Sequence, residues 1–246
     1  MTEEFRVTSG DHPVTGILTI PEGSGPFPCV ILSHGLVSSK ESSKYMYLSE
    51  RLSSAGIVAC RFDYHGCGES GGNIAETTLS IRLQDLESVL EHVLRYPSME
   101  SGRTGILGSS FGGSAALVEA AKNLKAVISC IALWATPFML ERKGDNSISD
   151  IPFQPSIFED FSKYNLLSEA RKVSHAIVIH GELDDVVPCS EGKAIYDNLK
   201  RPKKFVLING ADHTFSSQVH RDKAAELSLA WFRRYLLRDR KKMNVV

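Results

Sequence analysis

A chain of 246 residues, 42% of them hydrophobic, is long enough for one α/β domain with a full core. Its 28 basic and 29 acidic residues give a formal charge of -1, which provides neither an electrostatic footprint for nucleic acid nor polybasic attraction to a membrane surface. Small neutral or mildly polar partners remain.

The opening Met1-Thr2-Glu3-Glu4-Phe5-Arg6 lacks the basic and apolar regions of a secretory signal, and no apolar run approaches the length of a membrane span. Three of the five cysteines, Cys29, Cys60 and Cys130, fall inside apolar runs, where a thiol behaves as a small buried hydrophobe. Cys67 and Cys189 form no Cys-x-x-Cys or metal-spaced set. The expectation is a reducing, cytoplasmic setting.

In chain order, a hairpin is predicted from Phe5 to Thr8 and Ile17 to Ile20, turning around Gly10-Asp11-His12-Pro13. Strand-like runs follow at Cys29 to Leu32, Val58 to Phe62, Thr104 to Leu107, Ala126 to Ala135, Ala176 to Ile179 and Phe205 to Ile208. They are continuously apolar rather than alternating, as strands buried on both faces are. The segments between them read as helices: Leu79, Leu83, Leu86, Val89, Leu90, Val93 and Leu94 keep a three-or-four spacing, as do Leu227, Ala230, Trp231 and Tyr235. Strand alternating with helix predicts a mostly parallel sheet with right-handed crossovers. Arg238 to Lys242 reads as a solvated helix tail.

One stretch breaks the rhythm. Residues 136–167 hold no long apolar strand, yet Phe138, Phe153, Phe158, Phe161 and Tyr164 are scattered among prolines, charges and the polar patch Lys143-Gly144-Asp145-Asn146-Ser147. The aromatics argue against disorder, and the segment is expected to be a short, partly helical cap over the strand ends. An extra surface helix pair with its own small core is the alternative. The core domain then comprises residues 1–135 and 168–246.

Gly108-Ser109-Ser110-Phe111-Gly112 spells G-x-S-x-G at a strand-to-helix junction, where a sharp turn can project Ser110 alone. A serine hydroxyl is a weak nucleophile until a base takes its proton. Residues that follow the other strands include Asp184 and Asp185, in Gly181-Glu182-Leu183-Asp184-Asp185-Val186-Val187-Pro188, and His213, in Asn209-Gly210-Ala211-Asp212-His213. In an open α/β sheet such positions share one edge.

These three motifs in the order Ser, Asp, His resemble the α/β-hydrolase superfamily along nearly the whole chain. The narrower likeness is to compact bacterial carboxylesterases and cinnamoyl or feruloyl esterases, which overlap with serine aminopeptidase-like hydrolases. The resemblance implies an α/β-hydrolase fold, Ser110 as nucleophile, His213 as base and Asp184 as the acid that orients it. The family spacing favours Asp184 over Asp185 and leaves Asp212 as a loop-structuring residue. It also implies an oxyanion hole made by the backbone N–H groups of Leu36, after Ser33-His34-Gly35, and Phe111. His34 then orders its loop rather than transferring protons. Phe138, Phe153, Phe158 and Phe161 are candidate substrate-pocket residues.

Gly66-Cys67-Gly68-Glu69-Ser70-Gly71 is literally G-x-G-x-x-G after a strand, but a polar loop delays the next helix to about residue 77, against a dinucleotide site. The family often carries arginine where this chain has His65. No His-x-x-x-His pair and no Walker loop occurs, so neither metal nor cofactor is expected. The implied activity is metal-free cleavage of small to medium acyl or aryl esters through an acyl-enzyme. A thioesterase, an aminopeptidase-like amidase and a carbon-carbon hydrolase share the same triad. A non-catalytic ligand receptor is the alternative of a different class. Dehalogenases and epoxide hydrolases of this fold place aspartate where Ser110 stands. No oligomeric state is implied.

Overall fold

The computed structural model describes residues 1–122, 127–141, 147–148 and 151–237. Ala126, residues 143–146 of the polar patch and the tail 238–242 lie outside the described residues. The strands are β1 (Thr2–Ser9), β2 (His12–Thr19), β3 (Phe27–Ser33), β4 (Val58–Phe62), β5 (Met99–Ser109), β6 (Ile128–Trp134), β7 (Ser147–Ile148), β8 (Ile151–Pro152), β9 (Ala176–Gly181) and β10 (Lys203–Ile208). The helices are α1 (Ser43–Ser54), α2 (Leu79–Arg95), α3 (Phe111–Lys122), α4 (Ser156–Phe161), α5 (Leu166–Ala170), α6 (Cys189–Asn198) and α7 (Gln218–Leu236).

Eight strands form one sheet in the order β1-β2-β4-β3-β5-β6-β9-β10. Within this sheet only the β1–β2 and β2–β4 pairings are antiparallel among the described residues; β7 and β8 form a separate antiparallel pair. The β4–β3–β5–β6–β9–β10 part is parallel, so the C-terminal ends of its strands lie along one edge. The hairpin is tighter than expected: Ser9 pairs with His12, which leaves Gly10-Asp11 as a two-residue turn.

Side chains alternate along each central strand, and both faces are covered. Ile31, Cys60, Ile106 and Leu133 pack on the side of α2, α3 and α6, whereas Val30, Ala59, Leu107 and Trp134 pack on the side of α1 and α7. The apolar stripe of α2 supplies Leu79, Leu83, Leu86, Val89 and Val93 to the first layer. Thr78 caps this helix by accepting a hydrogen bond from the Ile81 N–H, and the chain leaves it just before Pro97.

The segment after β6 carries the two-residue strands β7 and β8 and the short helices α4 and α5. Phe153, Ile157 and Phe161 are buried within the same core layer as α2 and α3, not in a separate cluster. Asp160 ties α4 to the start of α2 by accepting from Ser80 N–H at 2.8 Å and Ser80 Oγ at 2.7 Å.

Candidate active site

Ser110 stands between β5 and α3 with φ of 53°, a left-handed conformation that costs energy in any residue with a Cβ. Packing enforces it. Its N–H donates to the Trp134 carbonyl at 2.8 Å, and its own carbonyl accepts from Gly113 N–H at 2.7 Å. The flanking glycines permit the approach: a Cβ on Gly112 would lie 2.3 Å from the His34 carbonyl oxygen, and one on Gly108 would lie 2.5 Å from that of Gly112.

His213 follows β10 and reaches Ser110, with Nε2 3.1 Å from Oγ. Its Nδ1 lies 3.0 and 2.9 Å from the two carboxylate oxygens of Asp184, which follows β9. A carboxylate only accepts, so Nδ1 carries the proton and Nε2 is left to accept from the serine hydroxyl. The Asp184 carboxylate is fully buried, while the His213 ring keeps 13% of its surface exposed. Burial alone would raise the Asp184 carboxyl, but hydrogen bonds from His180, His213 and the Val187 N–H outweigh it and hold the group well below the usual carboxylate range.

Asp185 is exposed at the rim of the neighbouring cavity. Asp212 accepts from Ser216 N–H at 2.9 Å within its own loop. Leu36, Ser110 and Phe111 line one cavity of about 650 Å³ together with Phe138, Phe158 and Val187. Phe111 begins α3, so its N–H has no acceptor within the helix. Phe161 lines a smaller recess beside Phe138, and Phe153 lines neither cavity.

Three side chains at this site were missed by the sequence reading. His180 donates from Nε2 to the Val187 carbonyl at 2.9 Å and stands 3.1 Å from Asp184 Oδ2, a second imidazole on the buried carboxylate. Ser33 Oγ donates to the Gly112 carbonyl at 2.7 Å, joining the loop after β3 to the serine turn. Arg82, fully buried on α2, donates to three carbonyls of that loop. Its position three residues after Leu79 and four before Leu86, inside an apolar stripe, was the available signal.

His34 is locked in place: its Nε2 accepts from Tyr64 N–H at 3.0 Å and its Nδ1 donates to the Gly35 carbonyl at 2.7 Å. Burial, aided by the charge of Arg82, pushes it down to about 3. The G-x-G-x-x-G stretch folds around a carboxylate of the protein itself. Asp63 accepts from Lys40 and from Glu69 N–H, and a Cβ on Gly68 would sit 2.1 Å from its oxygen. His65, where the family often has arginine, packs its ring edge-on to that of His12. No three His, Cys, Asp or Glu side chains among the described residues are grouped as a metal requires. No helix among them is long and apolar enough to cross a membrane.

Comparison with known proteins gives the family and the fold. The chain is 34% identical over 130 residues to a protein of Mycobacterium tuberculosis named as a phosphoribosyl transferase, a match that covers 52% of this chain and only 29% of that relative. It is 26% identical over 209 residues to the mitochondrial palmitoyl-protein thioesterase ABHD10 of Mus musculus, covering 75% of this chain and 68% of the relative. Among solved structures, Est1E from Butyrivibrio proteoclasticus with bound ferulic acid superposes with a TM-score of 0.81 at 18% identity, over 92% of this chain and 98% of that one. The prolyl oligopeptidase family matches residues 43–239, a span that contains the serine turn and the loops of both its partners. The chain therefore belongs to the prolyl oligopeptidase family and has the α/β-hydrolase fold.

Proposed function

We propose that the protein is a serine hydrolase that cleaves carboxylic esters of small to medium acyl or aryl groups, with Ser110, His213 and Asp184 as its catalytic triad. The hydrogen-bonded chain from Asp184 through His213 to Ser110 Oγ carries this reading. Ser110 Oγ attacks the ester carbonyl carbon as its proton passes to His213 Nε2. The carbonyl oxygen becomes an oxyanion facing the N–H groups of Leu36 and Phe111, each a donor of the kind whose loss costs about 3 kcal/mol of transition-state stabilisation. His213 then gives the proton to the leaving alkoxide, which departs as the alcohol. Water repeats the sequence against the acyl-serine, releasing the acid.

Residues 136–167 serve in this reading as a cap whose Phe138 and Phe158 wall the acyl or aryl pocket, while Phe153 and Phe161 anchor the cap to the core. A thioester is the second substrate class to test, because an apolar-walled cavity of about 650 Å³ is roomy enough for an extended acyl chain and the mouse relative is a thioesterase. The free cysteines, four of them buried, support a cytoplasmic setting.

Steady-state kinetics with aryl esters and acyl thioesters of graded length test the assignment. Ser110→Ala and His213→Ala are each expected to lower kcat by at least about 10⁴-fold, because such a triad acts as a unit. Near-normal turnover by either variant would overturn it.

A further inference from the structure

Arg82 is an unusual residue to bury. Its side chain is fully enclosed, and among the described residues no carboxylate lies within ion-pair distance of its guanidinium. Removing a cation from water without a counter-ion is costly, and a methionine could continue the apolar stripe of α2 without that cost. What surrounds the guanidinium is the loop after β3. Nη2 donates to the Leu36 carbonyl at 2.8 Å, and Nη1 donates to those of Gly35 at 3.1 Å and His34 at 3.3 Å. The guanidinium carbon also lies 4.6 Å from the ring centre of Tyr64 and 5.3 Å from that of Phe111. Arg82 thus touches both residues whose amides are proposed to face the oxyanion.

The Gly35 carbonyl matters most, because its oxygen and the Leu36 N–H belong to one peptide unit. A hydrogen bond accepted at the oxygen draws electron density from the nitrogen and makes the N–H a stronger donor. Two donors converge on this oxygen: the charged Nη1 of Arg82 and the Nδ1–H of His34 at 2.7 Å. The His34 tautomer is fixed, since Nε2 accepts from the backbone N–H of Tyr64.

We propose that Arg82, assisted by His34, is a positioning residue of the oxyanion site, holding the Gly35-Leu36 peptide in place and polarising it so that the Leu36 N–H binds the oxyanion more strongly than an ordinary amide. The inference rests on the reading of Ser110 as nucleophile and Leu36 as oxyanion donor. Arg82 itself meets neither substrate nor the reacting atoms. Its contribution is strongest in the transition state, when the negative charge on the oxygen is largest, so its loss affects kcat rather than KM.

The test compares the wild type with Arg82→Met, which keeps the bulk and removes the charge, and Arg82→Lys, which keeps the charge but puts one nitrogen in place of the two that reach these carbonyls. Lysine has three N–H donors but a single nitrogen, whereas Arg82 reaches these carbonyls from two, Nη1 and Nη2. For each, kcat and KM on an aryl ester are measured beside the inhibition constant of a trifluoromethyl ketone, whose serine adduct carries an oxyanion. Arg82→Met is expected to lower kcat by about 10- to 100-fold, weaken the ketone by a similar factor and leave KM within about two-fold, with Arg82→Lys in between. Wild-type kcat and ketone affinity in folded Arg82→Met would overturn the proposal. So would a loss confined to KM and thermal stability, which is what a structural staple alone gives. If Arg82→Met does not fold, Arg82→Lys decides: a loss of kcat and ketone affinity supports the proposal, and wild-type values overturn it. Labelling by a fluorophosphonate separates the two levels, because failure of the wild type to label at Ser110 removes the nucleophile, whereas normal labelling with unaffected Arg82 variants removes only this inference.

Discussion

The strained backbone of Ser110 and the neutral imidazole of His34 follow from one arrangement, a tight turn pressed against the loop after β3. His34 makes this visible to pH. Its pKa is pushed down to about 3 in the fold, against about 6.5 for an unperturbed histidine, so the unfolded chain binds a proton that the native protein refuses. Stability from this source is complete above about pH 6.5 and is lost as the pH falls toward the folded value. Asp184, also depressed, adds a loss that begins only below about pH 4. Denaturant unfolding between pH 6.5 and 4.5 should show His34→Gln with a pH slope shallower than the wild type by about one proton; equal slopes would contradict the assignment. That Ser110, Asp184 and His213 come together was legible because their loops carry recognisable spacing. Arg82 and His180 were not, because their importance arises from which carbonyl or carboxylate lies opposite them, and one sequence does not show that.

Among the elements, the serine turn and the helices of residues 136–167 invite opposite experiments. A Cβ at position 112 would meet the backbone oxygens of His34 and Ser33 at 2.3 and 2.4 Å, and backbone cannot rotate away as a side chain does. Gly112→Ala should therefore push the loop carrying Leu36 aside, lowering kcat at least about ten-fold and stability by about 1–3 kcal/mol, measured by kinetics and denaturant unfolding. In α4 two phenylalanines separate packing from specificity. Phe161 is buried, with its ring centre 5.5 Å from that of Phe111 and tilted 47° to it, so Phe161→Ala should cost about 3–5 kcal/mol. Phe158 lines the cavity, and Phe158→Ala should shift relative kcat/KM toward bulkier acyl groups by roughly 10-fold with little change in melting temperature. The strands were legible from their apolar runs, although β1, β2 and β5 extend beyond the segments expected because backbone pairing continues through polar residues. Aromatics alone could not distinguish Phe158 from Phe161, since both serve equally well as wall or as core.

For the molecule as a whole, the mostly parallel sheet was readable from strand alternating with helix, and the clustering of loops followed from parallel strands ending on one edge. Strand order was not readable. β4 lies between β2 and β3, and β9 joins β6 across the excursion of residues 136–167, as long-range pairing dictates. That pairing sets β5 and β9 on either side of β6, with β10 beyond, and so brings the loops bearing Ser110, Asp184 and His213 within reach of one another. Intact-mass spectrometry of the protein quenched during incubation with an aryl ester, followed by peptide mapping, tests the central claim most directly. The account predicts a transient gain of one acyl group on the peptide containing Ser110, absent from Ser110→Ala. Turnover with no adduct under conditions where acylation is fast, or an acyl group carried only elsewhere, would contradict it.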